Sequence, residues 1–258
     1  MTNDPLNQAI LRQKLNTHTD GMQITVLKEC PSTNGLAREL AIQHPELTAL
    51  IVAESQTNGR GRLGRSFHSP TGTGVYFSVL YPWNTPLQSA LGLTCAASVA
   101  VMRAILHTTG IQTQIKWVND LLLNEKKVCG ILTEAVTIGE QTSLIIGIGI
   151  NLRPMEFPTD LGRIAGTLDQ PTLSRADLIA EILNQLLPML HSPRDKGWLE
   201  DYRRHSCVLG KEIMQIENGI AVSCIAEEID GEGRLSVRYA DGSRGRLQSG
   251  EISIRLQN

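Results

Sequence analysis

Gly59-Arg60-Gly61-Arg62-Leu63-Gly64-Arg65, followed by Ser66 to His68, the turn-rich Ser69-Pro70-Thr71-Gly72-Thr73-Gly74 and the β-rich run Val75 to Tyr81, is the stretch on which the fold turns. Its first seven residues match GxGxxG, and Arg65-Ser66 stand where a P-loop has Lys-Ser/Thr. Both motifs seat phosphate on the N-terminus of a helix that begins directly after the glycines. Here turn residues and a strand follow, and no acidic residue lies about 20 positions on to take a ribose. The pattern argues against a dinucleotide-binding or P-loop fold.

The chemistry of the loop survives the loss of those labels. Glycines let a backbone approach a ligand closely, and arginine forks suit carboxylate and phosphate oxygens. Between Glu54 and Asp120 there is no Asp or Glu, where random placement would put about six or seven, while Arg60, Arg62, Arg65, Arg103 and Lys116 fall inside. Such a neighbourhood suits a polyanion; an ordinary solvated basic loop is the rival reading. Like charges and few apolar anchors lead us to expect a loop that is mobile until an anion arrives.

Working outward, residues 1 to 22 read as an arm or short helix ended by Gly21. Ser32 N-caps a helix through Leu40 and Ala41 that His44-Pro45 closes, and Leu50 to Glu54 is a strand. Thr85-Pro86 opens a long alanine-rich helix, expected to be buried, that Gly110 stops. Ile115 to Leu123, Val128 to Ala135 and Leu144 to Leu152 read as strands, the first two joined by a hairpin at Asn124-Glu125-Lys126. Ala176 to Leu190 and Trp198 to Arg204 are helical, and from Cys207 five short strand-like runs read as a small β-barrel. The expected boundary lies near residue 205, dividing 1–204 from the barrel at 205–258.

The 258 residues suit one large domain, or a large and a small one. A net charge of -2 provides no global basic field, which argues against a dedicated nucleic-acid or membrane-surface binder. The longest apolar runs, such as Cys95 to Met102, fall short of the ~20 residues of a membrane span. Asp4, Pro5 and Asn7 oppose a signal peptide, so the cytoplasm is the expected compartment. Five cysteines without a CxxC pair suggest neither a disulfide framework nor a zinc site, and we expect small buried hydrophobes and no protein-held metal.

In Lys116-Trp117-Val118-Asn119-Asp120, period two would place Lys116, Val118 and Asp120 on one strand face, either as part of a site or as a simple ion pair. Gly147, Gly149 and Asn151 share one face of the last strand and Ile146, Ile148 and Ile150 the other, leaving one side bare. Something flat against the backbone would explain this, as would a bulge or a packed helix.

Ser32-Thr33-Asn34, Gln56 before GRGRLGR, Lys116 to Asp120, Lys127 with Gly130-Ile131-Leu132, Gly147 to Asn151 and the C-terminal Glu251 to Arg255 occur in the order and spacing of biotin protein ligases. The resemblance spans roughly residues 25 to 258, and GRGRxGR is its most specific part. It implies an α+β fold related to class II aminoacyl-tRNA synthetases and lipoate ligases, with a mixed sheet flanked by helices. It also implies that biotin and Mg-ATP form biotinyl-5'-adenylate, which is passed to a lysine of a biotin carboxyl carrier protein. By position, Ser32, Thr33, Asn34, Gln56, Arg60, Gly61, Arg62, Lys127, Gly130, Gly147 and Gly149 would contact biotin or its adenylate. Arg62, Arg65, Lys116, Asn119, Asn151 and Arg255 would face the nucleotide, and Lys127, Arg62 and Asp120 would carry the chemistry, with ATP and Mg2+ as cofactors.

The sequence departs from the family pattern at Val118, where proline is usual, and at Phe67, where tryptophan is common and only the ring face is kept. About 25 residues precede the first motif, too few for the helix-turn-helix of bifunctional relatives, so no DNA binding is expected; small members of the family often pair through sheet edges, which leaves a homodimer open, since no exposed edge can be read from the sequence. Competing readings are a lipoate or octanoate ligase, and a biotin sensor without turnover.

Overall fold

The computed structural model describes residues 4–16, 19, 21–85, 90, 92–217, 220–248 and 251–254. In chain order the elements are α1 (Gln8–Lys14), β1 (Gln23–Cys30), α2 (Thr33–Gln43), β2 (Ala49–Gln56), β3 (Gly74–Trp83), α3 (Leu93–Thr109), β4 (Gln114–Lys116), β5 (Asp120–Leu123), β6 (Lys126–Ile138), β7 (Gln141–Asn151), α4 (Arg175–His191), α5 (Leu199–Arg204), β8 (Glu212–Glu217), β9 (Ile220–Ile229), β10 (Leu235–Tyr239), β11 (Arg244–Leu247) and β12 (Glu251–Ile254). The first seven strands form one mixed sheet in the order β1-β2-β3-β7-β6-β5-β4, in which β1 and β2 run parallel and the remaining pairs antiparallel.

Side-chain alternation along β7 explains the layering. Leu144, Ile146, Ile148 and Ile150 enter the larger core with Val75, Phe77 and Val79 of β3, beneath α3 and α4. Ile145 points the other way, to Leu80 and to Ala37 and Ala41 of α2. The small side chains of α3, among them Ala96, Ala97, Ala100 and Ala104, are fully buried and allow close approach. On the other face α2 covers only part of the sheet: its first turn reaches Gly147, and Gly149 lies beyond it. That uncovered strip is where the site lies.

Several expectations change. The polar edge strand β1, with Lys28 and Glu29, was not foreseen, because alternation is weak where one ladder side faces solvent. α1 ends at Lys14, before Gly21. The described part of the alanine-rich helix begins at Leu93, and 86–89 and 91 lie outside the described residues. The stretch from Ile115 to Leu123 is two strands: the chain turns at Trp117 to Asn119, through a cis Trp117–Val118 peptide, so Lys116 pairs across from Asp120 instead of following it along one face. The hairpin after β5 has positive φ at Asn124 (49°) and Glu125 (64°), the pattern of a tight primed turn.

The C-terminal strands form an open antiparallel sheet, β11-β10-β9-β8-β12, not a closed barrel. Its apolar face, with Ile213, Cys224, Ala226, Leu235 and Val237, joins the larger core. A sheet covered by the rest of the protein has no need to close on itself. All five cysteines are buried and unpaired, and burial pushes the Cys95 thiol up to about 12. No described helix is long and apolar enough to cross a membrane.

A largely buried ion cluster joins four separate segments. Arg175, 4% exposed at the start of α4, donates to Asp4 Oδ2 at 2.7 Å, to the Asp4 carbonyl at 3.0 Å and to the Glu54 carboxylate, while Arg153 donates to the same Asp4. Burial works against the guanidinium's charge, but hydrogen bonds to Glu54 and Asp4 outweigh it and raise its pKa. Removing one member leaves buried charge uncompensated, so Arg175→Met is expected to cost about 3 kcal/mol in urea unfolding. Breaking the exposed Arg204–Glu200 pair by Arg204→Met should cost less than about 1 kcal/mol. Equal losses would refute the assignment.

Candidate active site

The arginine loop is a hairpin held by its own backbone. Gln56 N donates to Ser69 O at 3.1 Å, Phe67 N to Gly59 O at 2.8 Å, Gly61 N to Arg65 O at 2.7 Å and Arg65 N to Arg62 O at 3.1 Å. These backbone bonds give the loop its hairpin shape. Gly59 is required because a Cβ would meet Phe67 O at 2.4 Å. Leu63 sits at the tip with φ 54° and 72% exposure.

Folded this way, the hairpin roofs a cleft of about 450 Å³ on the uncovered strip of the sheet. Ser32, Thr33 and Asn34 at the start of α2, Gln56 at the end of β2 and Arg60, Gly61 and Arg62 of the hairpin line it. Gly130, Gly147 and Gly149 contribute to its floor, and Asn119 and Lys127 complete the set. Thus twelve of the residues singled out in the sequence converge in space.

The flat groups against the bare strand belong to the chain itself. A Cβ on Gly147 would lie 2.0 Å from Asn34 Oδ1, and one on Gly149 would lie 2.6 Å from the Phe67 ring, which also reaches within 3.2 Å of a Cβ on Gly130. The Asn34 amide and the Phe67 ring therefore rest on consecutive outward positions of β7, about 7 Å apart.

Each end has its own chemistry. At the α2 end, Ser32 caps Gly35 N at 3.4 Å, and Thr33 donates from N (2.8 Å) and Oγ1 (3.2 Å) to Gln56 Oε1. Asn34 Nδ2 donates to Glu134 Oε2 at 2.9 Å and to Leu132 O at 3.3 Å. Buried Ser78 is hydrogen-bonded to Thr33 Oγ1 (2.8 Å) and Asn34 Oδ1 (2.6 Å). Burial pushes the Glu134 carboxyl up, but hydrogen bonds from Asn34 and Arg38 and the charges of Arg38 and Arg60 hold it below its ordinary value.

At the other end Arg62 donates to Asn119 Oδ1 at 2.9 Å, and Asn119 Nδ2 donates to Ile131 O at 2.9 Å. Lys127 Nζ lies 2.7 Å from Asp120 Oδ1, but that oxygen has no well-directed hydrogen bond, so the contact is an electrostatic pairing. Polar amides with Arg60 nearby at one end, a glycine floor, and Arg62 with Lys127 at the other suit a small ring compound carrying an acid, with a phosphate beside it.

Other predicted residues fall outside this lining. Asp120 reaches the cleft through Lys127 alone. Lys116 stands across from it on β4, and Arg65 closes the hairpin through its backbone. Asn151 donates to Gly166 O at 2.9 Å beside the cleft, and Arg255 lies outside the described residues. Sequence reasoning missed Ser78, Glu134, Phe77, Leu132 and Ile148, and had not placed Phe67 in the site. Ser78 carried a signal, a polar residue inside the apolar run Val75 to Leu80; Glu134 carried none.

The fold is a mixed α+β sheet with a glycine-floored cleft under an arginine hairpin. The model of the biotin/lipoate A/B protein ligase family matches residues 26–151. The bifunctional ligase/repressor BirA of Escherichia coli is 30% identical over 92% of this chain and 75% of its own length. That of Bacillus subtilis is 41% identical over 69% of this chain, which spans only 57% of that protein. The structure of the Aquifex aeolicus biotin protein ligase, in complex with biotin and ATP, superposes with a TM-score of 0.74 at 29% identity, covering 90% of this chain and 98% of that one. The chain belongs to the biotin/lipoate A/B protein ligase family.

Because folding lowers the Glu134 pKa, its contribution to stability is full above the ordinary value of 4.5 and fades as pH falls through the lowered one. The melting-temperature gap between wild type and Glu134→Gln should be widest near about pH 6.5 and shrink toward acid. A gap that does not change with pH would disprove this.

Proposed function

We propose that the chain is an ATP-dependent biotin protein ligase. It joins biotin to ATP as biotinyl-5'-adenylate with release of pyrophosphate, and transfers the biotinyl group to a lysine of a biotin carboxyl carrier protein. The observation that carries this reading is the meeting of Arg62 and Lys127 with the glycine floor at Gly130 and Gly149 in one cleft.

In the first step a carboxylate oxygen bonds to the α-phosphorus and the bond to pyrophosphate breaks. Two anions must meet, and Arg60, Arg62 and Lys127 supply the positive charge that lets them. Thr33, Asn34 and Gln56 present amide and hydroxyl groups to a ring's polar edge, held in place by Ser78 and Glu134. Asn119 orients Arg62, and the proposed role of Arg65, Lys116, Asn151 and Arg255 is at the nucleotide side.

In the second step the acceptor amine, with a pKa near ~10.4, must lose a proton before it attacks the acyl carbonyl and AMP leaves. Asp120 is assigned to take or steer that proton once Lys127 turns to phosphate. Among the described residues no three His, Cys, Asp or Glu side chains converge as a metal centre. A magnesium ion brought in with ATP would share the polyphosphate charge with Arg62 and Lys127. Residues 1–204 would form the catalytic part and 205–258 the appended sheet.

The test is exchange of labelled pyrophosphate into ATP in the presence of biotin, lipoate or octanoate. Biotin alone should support it, and Lys127→Ala should lower the rate by about 100-fold or more. Exchange driven by lipoate or octanoate would make the chain a ligase for those acids, and biotin binding without exchange would make it a sensor.

A further inference from the structure

The turn that brings Asn119 to the cleft is held from outside it. Trp117 is 3% exposed, and its indole Nε1–H donates to the Gly233 carbonyl at 2.9 Å. Gly233 belongs to the turn between β9 and β10, which organises itself: Asp230 N donates to Arg234 O at 2.9 Å, and Asp230 Oδ1 accepts from the Glu232 and Arg234 amides at 2.8 and 3.0 Å. With φ +76°, Gly233 is wedged so closely that a Cβ would lie 2.7 Å from Cys95 Sγ and 3.5 Å from Gly92 Cα, at the start of α3. The next carbonyl, of Val118, accepts from Tyr202 Oη at 3.2 Å.

On the cleft side of the same turn, Asn119 holds Ile131 from both directions, accepting from its N–H at 3.0 Å and donating to its carbonyl at 2.9 Å. Asn119 Oδ1 then accepts from Arg62. A run of hydrogen bonds and one short turn thus connects the C-terminal sheet to an arginine of the cleft.

We propose that the Asp230–Arg234 turn is a positioning element for the reaction, acting through the indole of Trp117 to set Asn119 and, through it, Arg62. The proposal rests on the ligase reading of the cleft. It gives the C-terminal sheet a task that does not depend on reaching the ligand itself, unlike the role assigned to Arg255. The α2 end, with Ser32 to Asn34, has no part in this run of bonds, so its hold on the ring of biotin should be spared.

Trp117→Phe keeps a ring in place and removes the donor. Two readings are made on the full chain. Hydrogen exchange at the Ile131 amide, in the absence of ligand, should speed up by about tenfold while the Ile146 amide at the centre of β7 is unchanged. In biotin-dependent pyrophosphate exchange, kcat should fall by about tenfold with the KM for biotin within about twofold. Gly233→Ala, strained at φ +76° and crowded by Cys95 Sγ and Gly92 Cα, should have the same effects. Unchanged exchange at Ile131, equal acceleration at Ile131 and Ile146, or a kcat equal to wild type would each overturn the proposal. A wild type inactive with biotin would instead sink the ligase reading, and the amide exchange alone would then decide whether the turn positions Asn119.

Discussion

Gly147 and Gly149 leave two outward positions of β7 without side chains, and the Asn34 amide and the Phe67 ring lie directly on the exposed backbone. The rest of the site depends on this close approach. A methyl group at either position would displace the start of α2 or the ring of the hairpin, and with them both ends of the cleft. Backbone carbonyls and amides of β7 are satisfied by β3 and β6, so the strip can be bare without leaving unpaired polar groups. The two neighbouring strands bear the stability that glycine in a strand withholds.

Around this strip the charges are distributed by sign. Arg62 and Lys127 stand at one end and Arg60 acts on Glu134 at the other, while the carboxylates within reach, Asp120 and Glu134, are each paired with a specific partner. Glu134 anchors Asn34 and Arg38; it does not face a ligand's acid. A second ionic group, Asp4 with Arg153, Arg175 and Glu54, ties the first described residues to the end of β2. Gln56, two residues beyond Glu54, therefore projects into the cleft from a strand end that is fixed on both sides.

The C-terminal sheet extends this logic. Its apolar face completes the larger core and one of its turns accepts the indole of Trp117, so the two parts of the chain share a hydrophobic interior and a polar contact. The open edge at β11 and the short β12 are consistent with a sheet stabilised by what it covers rather than by closure.

Local chemistry was legible in the residues themselves. Ser32 as a cap, Gly110 as a helix stop, the alternation of Ile146, Ile148 and Ile150 against Gly147 and Gly149, and the acid-free run around the arginines all depend on neighbours within a few positions. The family followed from the order of these motifs, and the mixed sheet with flanking helices followed from the family. Tertiary structure alone decided what lies far apart in the chain. Lys116 and Asp120 face each other across a turn, a β-rich tail remains open because the main core covers it, and Phe67 supplies the flat group that β7 needs. Glu134 holds Asn34 across 100 positions of sequence, and Gly233 holds Trp117 across 116. A hydrogen bond at that separation leaves no periodicity to read, because its partners are chosen by where the folded strands place them and not by the residues beside them.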